Sequence, residues 1–273
     1  MTKIHIFAFQ MDTAMKSNLT HKGFVRGWAC ILAAVFWLSS CGVSHTGVSA
    51  AGGTVPTYFT MDEMPDLIVC LPPPPEPGTP AFSYDSTRYV WGKEQRLDEV
   101  RAKMADRDAV WILDSVFTTF NEPFGMELSP SGTPEIWTLL MTGLTTTDLI
   151  RVRPKAHFHR IRPFEYFGEH MYTLWEEDGL RGEGSYPSGH TIRAWCTALI
   201  LSEINPAAAN RIFARAWECG VSRVIVGAHW QSDVDASRVA AGIAYAKLQT
   251  SPAFRTRMER AKREFRRYLR FKR

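Results

Sequence analysis

Two cationic side chains, Lys155 and Arg162, stand seven residues apart, and Pro163 follows directly. Because seven residues make about two turns of an α-helix, the spacing predicts that both cations project from one helical face, with Pro163 ending the helix nearby. An ammonium beside a planar guanidinium suits an oxyanion that carries several oxygens. A solvated basic helix face has the same pattern, so this segment alone leaves both interpretations open.

A turn containing glycine and serine precedes a predicted helix start in segment 184–191, which reads Gly-Ser-Tyr-Pro-Ser-Gly-His-Thr. Free N–H groups and the helix dipole attract anions at such a start, and glycine lets the backbone approach them closely. The hydroxyl of Ser188 can also donate, and His190 lies in the first turn, within reach of what the turn holds. His190 is therefore either a general acid or a structural histidine.

A third cation, Arg223, precedes a histidine and an aspartate that stand four residues apart, His229 and Asp233. At that spacing the two side chains can face each other on a helix. A carboxylate that accepts from one ring nitrogen fixes the tautomer and leaves the other nitrogen free, as in a triad whose histidine is itself the nucleophile. A structural His–Asp pair is the alternative.

Taken in order, the segments read K-x6-R-P, P-S-G-H and S-R-x5-H-x3-D, and all eleven specified positions are present. This pattern resembles the signature of the phosphatidic acid phosphatase type 2 / vanadium haloperoxidase superfamily. The longer run over 184–191 looks like the bacterial class A non-specific acid phosphatases in particular. The likeness covers roughly residues 65–265 and includes the segments 71–75, 161–164, 202–206, 229–235 and 252–254.

The resemblance implies a role for each matching residue. The histidine matching His229 attacks phosphorus and becomes a phosphohistidine, and the aspartate matching Asp233 orients it. The histidine matching His190 protonates the leaving alcohol and then helps to activate water. The residues that hold the phosphoryl oxygens match Lys155, Arg162, Ser188, Gly189 and Arg223. The family fold is all-α, its chemistry needs no bound metal, and its members form homo-oligomers.

Other phosphate chemistries lack their motifs in this chain. There is no G-x4-G-K-[ST] loop, no cysteine with an arginine six residues later, and no zinc-type spacing of Cys or His-Glu. Three cations and backbone N–H groups can stabilise the charge on a transferred phosphoryl group, so we expect no cofactor and no metal. His157 and His159 could ligate a metal, but a pocket-lining role is the preferred interpretation.

The two imidazoles predict an acidic pH optimum. His229 must be neutral to attack, whereas His190 must be protonated to donate. Imidazoles titrate near pH 6.5, and a phosphomonoester loses its second proton near pH 6. We therefore expect a bell-shaped rate profile on the acid side of neutrality.

Helical patterns dominate the chain after Ala81. The composition, 45% hydrophobic, provides enough apolar material for a core. A capping hydroxyl at Thr133, with Pro134 after it, predicts one helix start. Further helices are predicted over 85–106, 188–205, 206–218 and 233–249, and the run 224–226 could be a strand without an obvious partner. The fold class is predicted to be all-α, with a single compact helical domain of the acid phosphatase / vanadium haloperoxidase type.

The N-terminus has the features of an export signal. Positive residues precede an eleven-residue apolar run at 28–38, which is too short to span a bilayer but is typical of a signal peptide. Segment 48–50 suits signal peptidase, whereas 38–41 resembles a bacterial lipobox in which Cys41 is lipidated. The prediction is a periplasmic protein, either cleaved near 51 or anchored in the outer membrane through Cys41.

The remaining boundaries follow from composition. We assign 1–50 to a leader, 51–82 to a tether and a Pro-rich arm, 83–260 to the helical domain and 261–273 to a basic tail. Segment 255–273 carries ten Lys/Arg against two Glu, so the rest of the chain is near −4 and is no basic nucleic-acid-binding surface. A solvated C-terminal helix or contact with an anionic surface explains the tail.

Cys196 and Cys219 either pair or are buried as small hydrophobes.

Three other functions share parts of this pattern. A vanadate-dependent haloperoxidase would use the same pocket to oxidise halides, but the wider likeness favours a phosphatase. Lipid-phosphate phosphatases of this superfamily span the membrane several times, and this chain has no apolar run of spanning length. A non-enzymatic protein that binds anions or a membrane surface through its tail is the third alternative. The expected substrates are small phosphomonoesters such as nucleotides, sugar phosphates and aryl phosphates, with transfer to alcohols as a side activity.

Overall fold

A computed structural model describes residues 55–271, and the regular elements in that part of the chain are all helical. The predicted all-α class is confirmed. The α-helices are α1 (Leu67–Cys70), α2 (Pro80–Gln95), α3 (Glu99–Arg107), α4 (Leu113–Thr118), α5 (Asn121–Phe124), α6 (Pro134–Asp148), α7 (Val152–Phe158), α8 (Pro163–Phe167), α9 (Leu174–Leu180), α10 (Gly189–Ile204), α11 (Ala209–Ile225), α12 (Gln231–Gln249) and α13 (Pro252–Phe271). Short 3-10 turns occur at Met61–Glu63, Leu149–Arg151 and Pro206–Ala208.

Helix α10 lies at the centre of the domain, in contact with α6, α11 and α12. Its start is the predicted one, because the Ser188 side chain caps the helix by accepting from the Thr191 N–H. Small residues bring neighbouring helices close together. A Cβ on Gly92 of α2 would stand 2.7 Å from the Val224 carbonyl oxygen of α11, so only glycine fits there. This contact places α2 directly against the end of α11.

Several helix boundaries differ from the prediction. The stretch 85–106 is two helices rather than one, because the Asp98 side chain accepts from Val100 N and Arg101 N and starts α3 anew. The helix predicted over 206–218 begins as a 3-10 turn and continues to Ile225. Consequently 224–226 is the end of α11 and not a strand.

The start of α6 is capped by a distant residue. Thr133 does precede the helix, but its side chain makes no cap hydrogen bond and instead bonds to Ser129. The carboxylate of Glu264, on α13, accepts from Glu135 N at 3.2 Å and from Ile136 N at 2.9 Å. An acid at a helix N-terminus also interacts favourably with the helix dipole, so α13 stabilises α6 from outside.

The segment before α2 packs against the domain. The predicted tether is wrong for residues from 55 onwards, since Tyr58 N donates to Thr146 Oγ1 at 2.9 Å and Met64 is buried in the core. The Pro-rich stretch is extended, as predicted, and the Tyr186 hydroxyl donates to the Pro72 carbonyl at 2.7 Å. This arm therefore lies across the segment that leads into α10.

Helix α13 is continuous through the boundary predicted at residue 261. Phe254, Met258, Ala261 and Phe265 recur at helical spacing and are all buried in the main core. The predicted separation of a tail at 261–273 is wrong for the described part, because residues 261–271 belong to this packed helix. The opposite, basic face of α13 is exposed.

The described cysteines are free. Cys196 and Cys219 are buried and unpaired, in agreement with the interpretation as small hydrophobes, and burial raises the pKa of each thiol to about 12. Within residues 55–271, none of the helices is both long and apolar enough to cross a membrane. The predicted signal peptide, the cleavage site near 50 and the lipidation of Cys41 lie outside the described residues.

Candidate active site

A cavity of about 360 Å³ collects side chains from all three sequence segments. Five of the residues predicted for the site line it: Lys155, Arg162, Gly189, His190 and His229. The other walls are formed by residues that the sequence reasoning did not select: Ala109, Trp111, Arg151, Trp175, Glu176, Gly179, Leu180 and Glu183.

His229 presents one ring nitrogen to Asp233 and the other to a guanidinium. Its Nδ1 lies 3.2 Å from Asp233 Oδ2, and its Nε2 lies 3.3 Å from Arg162 Nη1. Because a carboxylate only accepts and a guanidinium only donates, this arrangement fits a proton on Nδ1 and a lone pair on Nε2. Nε2 is therefore the nitrogen that can attack an electrophile in the cavity.

His229 and Asp233 are brought together at the start of a helix and do not lie on one helical face. His229 precedes Trp230, the N-cap of α12, so the prediction that both side chains project from one helix is wrong. Asp233 lies in the first turn of α12, and its Oδ2 also accepts from Trp230 N at 2.9 Å. Gly227, at a φ of 86°, supports the turn that leads from α11 to His229.

Arg160, which the sequence reasoning missed, connects Asp233 to a second buried carboxylate. Its Nη1 donates to Asp233 Oδ1 at 2.6 Å, and its Nη2 donates to Asp85 Oδ2 at 2.7 Å. Asp85 also accepts from Ser232 N at 2.8 Å and Ser232 Oγ at 2.6 Å. Both carboxylates are fully buried, so Arg160 compensates two charges that would otherwise be costly.

Lys155 and Arg162 reach the cavity from two different helices. Lys155 lies in the last turn of α7, which ends at His159 in a left-handed conformation with a φ of 40°. Arg162 is the N-cap of α8, which begins at Pro163. The prediction of a single helical face ended by Pro163 is therefore wrong. The two cations still meet, because Lys155 Nζ and Arg162 Nη2 both donate to the Gly184 carbonyl.

Arg223 is a fully buried cation with unused donors. Its Nη2 donates to Glu176 Oε2 at 2.9 Å, whereas its Nε and Nη1 have no hydrogen-bond partner among the described residues. The buried hydroxyl of Ser185 is also without a partner in this part of the chain. A buried polar group normally has its hydrogen bonds satisfied. An oxyanion bound beside Arg223 and Ser185 would supply acceptors for these donors.

His190 is oriented by a backbone carbonyl. Its Nε2 lies 2.9 Å from the Ala109 oxygen, which can only accept, so Nε2 carries a proton and Nδ1 is the nitrogen left for the cavity. Its ring centroid lies 4.5 Å from that of Trp111. Arg193 holds the same loop by donating to the Trp111 carbonyl at 2.6 Å while it pairs with Asp148.

Two glycines stand where a side chain would not fit, because neighbouring atoms pack directly against them. A Cβ on Gly189 would stand 2.9 Å from both Trp111 and Arg151, and a Cβ on Gly184 would stand 2.5 Å from the Lys155 carbonyl oxygen. Ser188, which is fully buried, stands between them in sequence and accepts from the Thr191 hydroxyl at 3.0 Å. Glycine at these two positions therefore lets the segment that leads into α10 pack directly against α7 and against Trp111 and Arg151 of the cavity wall.

Excess positive charge depresses the basicity of the site. Burial, with Arg162 and Lys155 nearby, lowers the pKa of His229 well below its ordinary value. Burial and the charges of Arg223 and Arg193 lower the pKa of His190 in the same way. Burial also lowers the pKa of Lys155 well below 10.5 and that of Arg162 to about 10. A bound anion would offset this repulsion.

His157 and His159 do not take part in the site. Both are exposed, and neither lines the cavity, so the prediction of a pocket-lining role is wrong. His157 lies on the exposed side of α7 and His159 in the turn after it, whereas Lys155 is buried. Among residues 55–271, no group of three or more His, Cys, Asp or Glu is arranged to hold a metal ion.

Comparison with known proteins identifies relatives that cover most of this chain. The family model described as the PAP2 superfamily matches residues 135–255. The chain is similar to the non-specific acid phosphatase of Providencia stuartii, with 41% identity over 209 residues that cover 76% of this chain and 84% of the relative. It is also 38% identical over 212 residues to the non-specific acid phosphatase of Salmonella typhimurium, covering 77% and 84%. An acid phosphatase of Zymomonas mobilis is 33% identical over 235 residues, covering 86% and 88%.

The chain therefore belongs to the PAP2 superfamily and, within it, to the bacterial non-specific acid phosphatases. The matched region includes α6 to the beginning of α13. It thus contains the three segments that line the cavity, whereas Asp85 lies before it.

Proposed function

We propose that this acid phosphatase hydrolyses phosphomonoesters through a phosphohistidine on His229. The observation that carries the proposal is the pairing of His229 Nδ1 with Asp233, which leaves Nε2 as the free nitrogen of a histidine that lines the cavity together with Lys155 and Arg162. A neutral imidazole with a free lone pair is a competent nucleophile towards phosphorus. The cations neutralise the phosphoryl oxygens that would otherwise repel it.

The reaction proceeds in two displacements. In the first, Nε2 of His229 forms a bond to phosphorus as the bond to the alcohol oxygen breaks, and His190 gives its proton to that oxygen. In the second, water attacks phosphorus while His190 takes a proton from it, the P–N bond breaks, and inorganic phosphate leaves with His229 neutral again. Lys155, Arg162 and Arg223, with Ser188 and the Gly189 N–H, hold the phosphoryl oxygens throughout.

We infer a broad range of phosphomonoester substrates from the cavity walls. Trp111, Trp175 and Leu180 provide apolar surface beside the cations, and 59% of Trp175 is exposed. Flat leaving groups such as nucleosides and aryl alcohols can pack on such rings, while sugars can use the open side. Alcohols that enter in place of water would intercept the phosphohistidine, so phosphate transfer to alcohols is a proposed side activity.

A substrate panel on the purified protein tests the proposal. We expect p-nitrophenyl phosphate, nucleoside monophosphates and sugar phosphates to release phosphate at acidic pH, and we expect orthovanadate to inhibit. A chelator should leave the rate unchanged because the proposed steps use only protein groups. Activity that a chelator abolishes and a divalent metal restores would contradict this mechanism. Bromide oxidation with added vanadate is the assay for the haloperoxidase alternative, which the named relatives do not favour.

We also propose that the protein is exported to the periplasm, as segment 28–38 predicts, and that Cys41 anchors it to the outer membrane if it is lipidated. Cell fractionation of wild type and Cys41→Ser tests both parts. Export predicts activity in the periplasmic or membrane fraction, and anchoring predicts that the substitution moves activity from membrane to soluble periplasm. Cytoplasmic activity would exclude export. A homo-oligomer remains a prediction that light scattering can test.

A further inference from the structure

The exposed face of α13 carries a row of arginines. Six of them are exposed and have side chains without an ion pair or hydrogen bond to another described residue: Arg255, Arg260, Arg263, Arg266, Arg267 and Arg270. At about 100° per residue they occupy an arc of about 140°, and at 1.5 Å per residue the row is about 22 Å long. We call these six residues the arginine row. It lies opposite the face through which Phe254, Met258, Ala261 and Phe265 pack into the core.

Other cations of the same helix are already neutralised. Arg257 pairs with Glu135 at 2.5 Å, and Lys262 pairs with Glu203 at 2.8 Å and Glu259 at 3.0 Å. Glu259 falls inside the arc of the arginine row, but its carboxylate is paired with Lys262. The row therefore presents nearly uncompensated positive charge, although the chain as a whole has a net charge of only +4.

The use of arginine and the fixed position of the helix indicate that the row binds a surface that displays phosphate groups. A guanidinium can bind a phosphate through two parallel hydrogen bonds, which a lysine ammonium cannot do. Since α13 is fixed to the domain through its buried face, the row is displayed without any folding on binding. We propose that the arginine row is a docking surface for the anionic headgroups of a phospholipid bilayer.

Two apolar side chains favour a bilayer over a nucleic acid. Leu269 is 44% exposed and Phe271 is 86% exposed, and helical geometry places one on each side of the row in the last turn of α13. Apolar side chains beside a basic helix face can insert at the boundary between headgroups and acyl chains. Stacking on nucleic-acid bases would instead require aromatic rings among the arginines, and the arc of the row contains none. This surface is separate from the cavity and does not depend on the proposed catalytic steps.

Vesicle co-sedimentation tests this inference. The full chain with Cys41→Ser, which removes lipidation, is mixed with vesicles of neutral phosphatidylcholine or with vesicles that contain phosphatidylglycerol. Binding to neutral vesicles reports any contribution of the apolar N-terminal segment. We expect clear preference for the anionic vesicles at low salt and loss of that preference at about 0.5 M salt, where charges are screened within a few ångströms. Equal binding to both vesicle types would overturn the proposal.

A matched pair of charge reversals locates the surface. Arg263→Glu with Arg266→Glu should weaken binding to anionic vesicles at least tenfold, because each cation near an anionic membrane contributes substantially to attachment. Lys103→Glu with Arg107→Glu on α3 makes the same change in net charge at exposed positions and should have little effect. Phosphatase activity and the circular dichroism spectrum should stay unchanged in both.

Either of two outcomes would contradict the assignment. An equal loss in the α3 control would show that only overall charge matters. Salt-sensitive binding of duplex or single-stranded DNA, measured by fluorescence anisotropy and tighter than binding to anionic vesicles, would identify the row as a nucleic-acid surface.

Discussion

Arg160 Nη1 donates to Asp233 Oδ1 at 2.6 Å, on the carboxylate oxygen that His229 does not contact. The other end of the same guanidinium is held by Asp85 at 2.7 Å. Asp233 is therefore fixed on both oxygens before it orients the imidazole. The geometry of the nucleophile thus depends on Arg160, which lies within the first segment but outside its specified positions, and on Asp85, which lies outside all three segments.

Substitution of Arg160 should impair chemistry more than substrate binding. Arg160→Lys replaces a two-pronged contact by a point charge that cannot reach both carboxylates, so we expect kcat to fall by about 10- to 100-fold with KM within about threefold, in line with other groups that orient a reactive ligand. Arg238→Lys, which alters a partly buried guanidinium stacked on Trp217, is the control and should keep wild-type kcat. Steady-state kinetics with circular dichroism measures both, and a rise in KM alone would exclude the positioning role.

The absence of a side chain at Gly189 should be essential for activity. A methyl group there would stand 2.9 Å from Trp111 and Arg151, so Gly189→Ala must displace the wall of the cavity, and we expect kcat/KM to fall by at least 100-fold. Gly242→Ala is the matched control, because nothing lies within 4 Å of its Cβ position and alanine favours helix. The control should keep its activity and gain about 0.5–1 kcal/mol in free energy of unfolding. Wild-type kinetics for Gly189→Ala would show that the close packing of Gly189 against Trp111 and Arg151 is not required for catalysis.

Phosphate should stabilise the folded protein. The unpaired donors of Arg223 and the mutual repulsion of Lys155 and Arg162 cost free energy that a bound oxyanion offsets. At a concentration about 100 times Kd, a ligand adds about 2.7 kcal/mol to the free energy of unfolding. Thermal unfolding should therefore shift upwards with phosphate and much less in Arg223→Lys. The same shift in sodium chloride of equal ionic strength would indicate a general salt effect instead.

The pH profile should lie further to the acid side than ordinary imidazoles predict. His190 donates only in its protonated form, which is lost as pH rises through its pKa, and burial with nearby Arg223 and Arg193 lowers that pKa well below 6.5. The basic limb of kcat/KM should accordingly fall below pH 6.5. The lowered pKa of His229 keeps this nucleophile neutral over the same range.

Removing one cation near His190 tests the predicted direction of its pKa shift. Arg193→Gln should raise the pKa of His190 and move the basic limb of kcat/KM to higher pH, whereas Arg193→Lys should move it less because the charge is kept. The measurement is kcat/KM from pH 4 to 9 for the three proteins. A rate that is flat from pH 5 to 9, or a basic limb that moves to lower pH in Arg193→Gln, would contradict the assignment of His190.

Local sequence signals predicted the parts of the site that local geometry determines. The cap by Ser188 depends on a residue and the N–H three positions later, so the start of α10 was predicted correctly. The Pro-rich arm was also predicted, because proline restricts its own backbone. Family resemblance then related the three segments to one oxyanion, and the cavity does contain side chains from each of them.

The errors came from contacts that spacing cannot specify. The helical spacing of Lys155 and Arg162 predicted one face, but the left-handed turn at His159 separates them onto two helices. Arg160 meets Asp85 across 75 residues, and Glu264 caps α6 across more than 120. A single sequence carries no local signal for such pairs. One feature could have drawn attention to Arg160, its position within the first segment, two residues before Arg162.

The role of His190 should be experimentally separable from that of His229, because only His190 protonates the leaving alcohol. His190→Ala removes the donor but leaves Nε2 of His229 intact, so we expect covalent phosphorylation to persist with a good leaving group such as p-nitrophenol and turnover to fall strongly. Burst kinetics with p-nitrophenyl phosphate and with an alkyl phosphate measures this difference. Equal losses with both leaving groups would contradict a role in protonating the alcohol.

The most direct test of the whole account is to trap the phosphoryl group on the enzyme. Rapid acid-free quenching with a ³²P-labelled phosphomonoester, followed by peptide mapping, should find one alkali-stable, acid-labile phosphoryl group on His229, and His229→Ala should abolish the label. Labelling that survives in His229→Ala, or that maps to any other residue, would contradict the account.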